Sequence, residues 1–243
     1  MNRRNQIHET AIIGPNVVLG TGNEIGPYAV IMGNTIIGDN NYIGSHTAIG
    51  VLPTDTKRTN MEFPTPHLEI GDNNIIREFS VVEQPCYEAI SRIGNNCFLM
   101  QGVHLSHDNI LQDDVVITNQ CVLGGIAKIL RGADLGMGCT INQYTIVGHY
   151  SIVATGAPCM KNVKPFSRYI PNRPLSVNKY AIEKYGFNDY IDEISAYVLE
   201  NIYPSSDCIR GIVEEFNKWT SRYGHDTYCN RLENTCECSS RGG

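Results

Sequence analysis

The segment His104-Leu105-Ser106-His107-Asp108 carries the most useful chemistry in this chain of 243 residues. An imidazole beside a carboxylate is held in one tautomer and made more basic, which suits proton abstraction from a nucleophile. Such a base contributes about 10²–10⁴-fold to a rate. A polar corner pair without a role would have the same sequence, so its surroundings must decide. Gly125 follows His107 by eighteen residues, and Gln143 follows Gly125 by another eighteen. A glycine lets a substrate carbonyl reach its backbone N–H, the geometry an oxyanion hole requires. No metal site is expected. His149 could join His104 and His107 only at a spacing that is not a multiple of eighteen, and Cys229, Cys236 and Cys238 lack a histidine or a Cys-x-x-Cys pair.

Eighteen matters because the chain repeats every six residues. Ile7, Ile13, Leu19, Ile25, Ile31, Ile37, Ile43 and Ile49 keep the register, Ile70, Ile76 and Val82 resume it, and every sixth residue from Ile93 to Val153 is Ile, Leu or Val. Six is neither the 3.6 of a helix nor the 2 of a strand. It describes a chain that turns regularly and sends one aliphatic residue inward each time. Gly and Asx follow the inward residue, as in Gly38-Asp39-Asn40-Asn41, and these types tolerate tight corners. The expectation is an all-β chain, a left-handed parallel β-helix with three hexads per coil and a C-terminal α-helical extension. Residues eighteen apart then stack, placing Gly125 above His107.

The β-helix is expected over residues 1–160, with loop insertions at 51–67 and 85–92, which on a solenoid usually carry function. Residues 161–243 read as a proline-marked linker, two helices and a polar tail. Asn188 is expected to cap the first helix, through Ile191, Ile194, Val198, Leu199 and Ile202, and Ser205 or Ser206 the second, through Ile209, Ile212, Val213, Phe216 and Trp219. A net charge of −6 disfavours nucleic acid as a partner. No apolar run is long enough for a membrane span and no signal peptide is seen. Cys86, Cys97, Cys121, Cys139, Cys159 and Cys208 are scattered singly in apolar sequence and read as small hydrophobes in a reducing cytoplasm.

The run Leu99-Met100-Gln101-Gly102-Val103-His104-Leu105-Ser106-His107-Asp108 resembles the catalytic segment of the UDP-N-acetylglucosamine acyltransferases that begin lipid A synthesis. Leu68-Glu69-Ile70-Gly71-Asp72, Ile76-Arg77-Glu78, Val177-Asn178 and Tyr185-Gly186-Phe187 match the same family. The hexad resemblance spans Ile7 to roughly Pro158. It implies a homotrimer with sites between neighbouring prisms, His107 as general base, Asp108 as its orienting partner and Gly125 as oxyanion donor. It also implies His104 near the acyl chain, with Asp55, Lys57, Gln143, Asn178 and Lys184 towards a nucleotide-sugar. The chain departs from the family at Glu83, Ile126 and Asn142, where further histidines are usual, at Thr54 in place of a glutamine and at Tyr180 in place of an acidic residue. Glu83 and Asn142 are therefore expected to contact substrate differently.

The implied donor is a thioester on acyl carrier protein or coenzyme A, a co-substrate rather than a bound cofactor. Lys161, Lys164, Arg168 and Arg173 form a basic stretch suited to phosphopantetheine or an acidic carrier, though a solvated linker explains them equally well. A coenzyme A-dependent N-acyltransferase of a dTDP- or UDP-amino sugar for surface glycans is the nearest alternative. A γ-type carbonic anhydrase and a non-enzymatic scaffold are more remote. A fused nucleotidyltransferase is excluded, since no room remains for its domain and no phosphate loop precedes the repeats.

Overall fold

The hexad residues meet inside a triangular prism whose three walls are parallel sheets of ten, eight and seven strands. The computed structural model describes residues 4–55 and 67–230. Most strands are two residues long, because each hexad leaves only its inward residue and the one before it extended. Most partners across coils stand eighteen residues apart, as with Ile25 and Ile43 on the first wall, Leu105 and Leu123 on the second, and Leu111 and Ile129 on the third. The architecture is the left-handed parallel β-helix expected, with helices at its C-terminal end.

The corners are held by side-chain ladders. At the edge between third and first walls, Asn23, Asn41 and Asn74 each accept the backbone N–H of the residue stacked on the next coil, at 2.8 to 2.9 Å. Asn40, Asn73 and Asn96 beside them adopt φ of 55° to 58°, which asparagine tolerates. Gly38 is required there, since a Cβ would meet Asp72 Oδ1 at 2.1 Å.

The inward hexad residues from Ile25 to Val153 are almost fully buried, whereas Ile7 is 44% exposed. Leu105 lies inside the prism directly beneath the His-Asp segment. Leu105→Ala should cost about 2–5 kcal/mol, from lost burial and the cavity left behind, and urea unfolding will show it. Cys86, Cys97, Cys121, Cys139 and Cys159 are buried free thiols, but Cys208 is exposed, contrary to its apolar reading.

The sheet runs past residue 160. Phe166 is buried, Ser167–Tyr169 adds to the first wall in parallel, and Ser176–Val177 closes it antiparallel. What reads as a proline linker is thus the last coil and its cap. Three helices follow: α1 (Lys179–Lys184), α2 (Ile191–Glu200) and α3 (Asp207–Tyr223). The sequence reading misses α1, which is too short to show periodicity and is capped by Asn178. Asn188 begins a 3-10 turn and makes no capping bond. Neither Ser205 nor Ser206 caps α3 with its own side chain. Glu193 of α2 instead accepts from both backbone N–H groups and both hydroxyls. α3 lies on the third wall, where Phe216 packs with Leu130 and Ile146. Among the described residues no helix is long and apolar enough to cross a membrane.

Candidate active site

Both insertions leave the second wall and return on the third: the strands Ala48–Val51 and Val81–Glu83 lead out, and His67–Ile70 and Ile90–Ile93 lead back. The corner between His104–Leu105 and Ile110–Leu111 joins the same two walls. The described parts of these loops, residue 55 of the first and 86–88 of the second, stand over the edge that carries His107 and Asp108. His107 is only 9% exposed and Asp108 fully buried, rather than at an open corner.

Asp108 adopts φ 61°, and its carboxylate is wrapped by the second insertion. Oδ1 accepts the N–H groups of Cys86 (2.8 Å) and Glu88 (3.0 Å), and Oδ2 accepts that of Tyr87 (3.0 Å). Oδ2 also lies 2.8 Å from His107 Nδ1. Burial alone would raise the Asp108 carboxyl, but these donors outweigh it and hold it below its ordinary value. An ionised carboxylate only accepts, so Nδ1 carries the proton and Nε2 keeps its lone pair. The bond to Asp108 is the main reason that the His107 imidazole is more basic than usual, with burial opposing.

Glu83 buttresses the corner from the neighbouring coil. Its Oε2 accepts the His107 backbone N–H at 3.0 Å, and its Oε1 stands 3.3 Å from His104 Nε2. Burial pushes this carboxyl up, yet His104 and Thr54 together bring it below the usual range. Asp55 comes in from the first insertion, with Oδ2 3.9 Å from His107 Nε2 and accepting from the Tyr87 hydroxyl at 2.7 Å. That bond to Asp55 pushes the Tyr87 phenol up to about 12. The Tyr87 ring meets the imidazole edge to face, with centroids 5.4 Å apart.

The stacking expected at Gly125 is present. A Cβ on Gly125 would lie 2.3 Å from His107 Cε1 and 2.6 Å from Nε2, so only glycine admits the imidazole. The adjoining amide, Ile126, donates to the His107 carbonyl at 2.9 Å, while the Gly125 N–H makes no hydrogen bond to another described residue. Gln143 and half-buried Asn142 follow one coil beyond, where the Tyr144 N–H reaches the Gly125 carbonyl at 3.1 Å.

The chain gathers Asp55, Glu83, His104, His107, Asp108 and Gly125 at one edge. It does not bring Asn178 or Lys184 to them. Asn178 caps α1 and donates to the carbonyl of Tyr150, which lies on the edge between third and first walls. Lys184 sits over the rings of Tyr185 and Tyr180. Lys57 lies outside the described residues. The basic stretch is also not one patch: Lys164 is buried, donating to the Tyr197 carbonyl at 3.1 Å and to Asn201, because it ties α2 to the last coil. Lys161 pairs with Asp226, and Arg168 and Arg173 are exposed. His149 pairs with Glu215 of α3, away from His104 and His107. Sequence reasoning overlooked Tyr87, Glu88, Ser91 and Lys128. Ser91 Oγ accepts the Asp108 N–H at 2.9 Å. Only Lys128 carried a signal, as a lone cation in the apolar run Gly125-Ile126-Ala127-Lys128-Ile129-Leu130.

The bacterial transferase hexapeptide (six repeats) family model matches residues 16–50. An acyl-(acyl-carrier-protein)–UDP-N-acetylglucosamine O-acyltransferase of Janthinobacterium sp. (strain Marseille) is 33% identical over 75% of this chain and 77% of its own length. A protein of the same description from Herminiimonas arsenicoxydans is 29% identical over 97% and 98%. The solved UDP-N-acetylglucosamine acyltransferase structure from Acinetobacter baumannii shares the fold, with TM-score 0.72 at 23% identity over 93% of this chain and 99% of that one. With a repeat solenoid, a His-Asp pair and relatives of this kind along most of its length, the chain is an acyltransferase that belongs to the UDP-N-acetylglucosamine O-acyltransferase family.

Proposed function

We propose that the protein moves an acyl group from an acyl carrier protein thioester to a hydroxyl of UDP-N-acetylglucosamine, the reaction named for its relatives, in the cytoplasmic synthesis of lipid A. The observation that carries the mechanism is the stacking of His107 on Gly125, with Nδ1 committed to Asp108 and the Gly125 N–H without a described partner. His107 Nε2 takes the sugar hydroxyl proton as that oxygen attacks the thioester carbonyl. The Gly125 N–H supports the oxyanion. Collapse of the tetrahedral species breaks the C–S bond, and the imidazolium returns its proton to the leaving thiolate. No acyl-enzyme forms.

The reading also requires a trimer. Asn178 and Lys184 lie away from the edge holding His107, so a neighbouring prism must supply them to the nucleotide-sugar. Exposed Ile12, Val18, Ile36, Ile75 and Val122 on the walls suit such packing. Light scattering should find a particle near three times the 27.0 kDa chain.

The deciding assay offers UDP-N-acetylglucosamine and amino-sugar nucleotides, each with acyl carrier protein and coenzyme A thioesters. An O-acylated product from the carrier thioester supports the proposal, whereas acylation of only the amines, from coenzyme A, overturns it. The base must be neutral to act. Because Asp108 raises His107 above its ordinary 6.5, kcat should fall as pH drops through a value above 6.5. A flat profile between pH 6 and 8 would contradict that assignment.

A further inference from the structure

Lys128 is a fully buried cation, and the acyl-transfer chemistry does not use it. Removing an ammonium from water is costly unless it is paired and hydrogen-bonded, so its partners are informative. Nζ donates to the main-chain carbonyl of Asp108 at 2.7 Å and stands 3.6 Å from Glu88 Oε2. The rings of Tyr223 and Trp219, both on α3, lie 5.7 and 5.9 Å away. Glu88 is held from the same helix: Oε1 accepts from the Tyr223 hydroxyl at 2.7 Å and from Arg222 at 3.2 Å. Glu88 in turn gives its N–H to the Asp108 carboxylate.

Asp108 is thus gripped at both ends. Its carboxylate is fixed by the backbone of residues 86–88 and its carbonyl by Lys128, and both grips lead to α3. We propose that Lys128 and Glu88 are positioning residues that couple the geometry and charge of the His107–Asp108 pair to the C-terminal helix. This inference rests on the general-base role given to His107 above.

Charge makes it testable. His107 faces Asp108 on its own corner, Glu83 and through it His104 on the neighbouring strands, Asp55 from the first insertion and Tyr87 from the second. Lys128 faces Glu88, Asp108, Arg222 and Tyr223. As an ion pair, Lys128 and Glu88 add little net charge beside the imidazole. Neutralising one member unbalances them. Lys128→Met removes the buried counter-charge and leaves the Glu88 carboxylate with only the exposed Arg222 as an ionic partner; this stabilises the imidazolium and moves the acid limb of kcat to higher pH. Glu88→Gln does the reverse.

The test measures kcat and acceptor KM against pH for K128M, E88Q, the double variant and H107A, in the full-length protein. K128M should raise the acid limb by about half a pH unit or more, and E88Q should lower it. The double variant should return the limb to its original position, with kcat still about 10- to 100-fold down and KM nearly unchanged, since the bond to the Asp108 carbonyl is gone. A merely structural lysine would lower the amount of folded enzyme and leave the limb in place. Limbs that coincide with the unmodified enzyme in both single variants overturn the proposal, as does a double variant that fails to restore the position. If K128M does not fold, the direction of the E88Q limb decides alone. Substantial activity in H107A would instead sink the general-base reading and leave these limbs without a group to report.

Discussion

Gly125→Ala is expected to lower kcat by at least about 10²-fold while the protein stays folded. The added methyl would sit 2.3 Å from His107 Cε1, 2.6 Å from Nε2 and 2.9 Å from Nδ1, closer than carbon atoms pack. Something must move. The imidazole cannot swing aside without stretching its 2.8 Å bond to Asp108, and the coil cannot lift without straining the Ile126 N–H bond to the His107 carbonyl. Either shift takes Nε2 out of line with the attacking oxygen, and displacements of about 1 Å can cost two orders of magnitude. Gly125 is not among the residues with positive φ, so alanine brings no backbone strain and the change should act through the imidazole. Circular dichroism melting close to that of the unmodified enzyme, with turnover nearly lost, is the expected pair of results. Unchanged turnover would show that His107 and Gly125 do not share the reacting centre.

His107→Ala should lower kcat by about 10²–10⁴-fold, the range for loss of a positioned general base. The site offers no ready substitute. The Asp108 carboxylate is held by three backbone N–H groups, and of the next carboxylates Glu83 is engaged by the His107 backbone and stands beside His104, while Asp55 accepts from the Tyr87 hydroxyl. The size of the loss also reports on the acceptor. A sugar hydroxyl is a weak nucleophile that needs its proton removed during attack, whereas a neutral amine attacks unaided. A loss below about 10-fold would favour an amine acceptor, and nearly intact turnover would remove His107 from the mechanism. Steady-state rates at a pH above the acid limb keep the comparison free of titration.

The two expectations differ in how they could be reached. That Gly125 meets His107 follows from counting eighteen residues along a strict six-residue period, and the structure places the glycine against the imidazole. Leu105 inside and His107 at the corner follow from the same period. So do the positions of the two insertions, which appear as interruptions of it. The effect of those insertions is not legible: nothing in Pro85-Cys86-Tyr87-Glu88 says that three successive N–H groups will turn onto Asp108 and bury it. The buried state of Lys164, read as part of a basic patch, is hidden for the same reason, because its partners Tyr197 and Asn201 belong to a helix more than thirty residues away.

Sequence by itself determined the prism, its inward residues, and the edge at which an imidazole, a carboxylate and a glycine stack. A solenoid coil touches only its neighbours, so a local period fixes the whole of it. Tertiary structure alone decided which groups close over that edge. Glu88, Lys128 and Tyr223 converge from a loop, a wall and a helix, with Glu88 and Tyr223 135 residues apart. Contacts between elements so distant in the chain obey no period, and only packing and charge pairing bring them together.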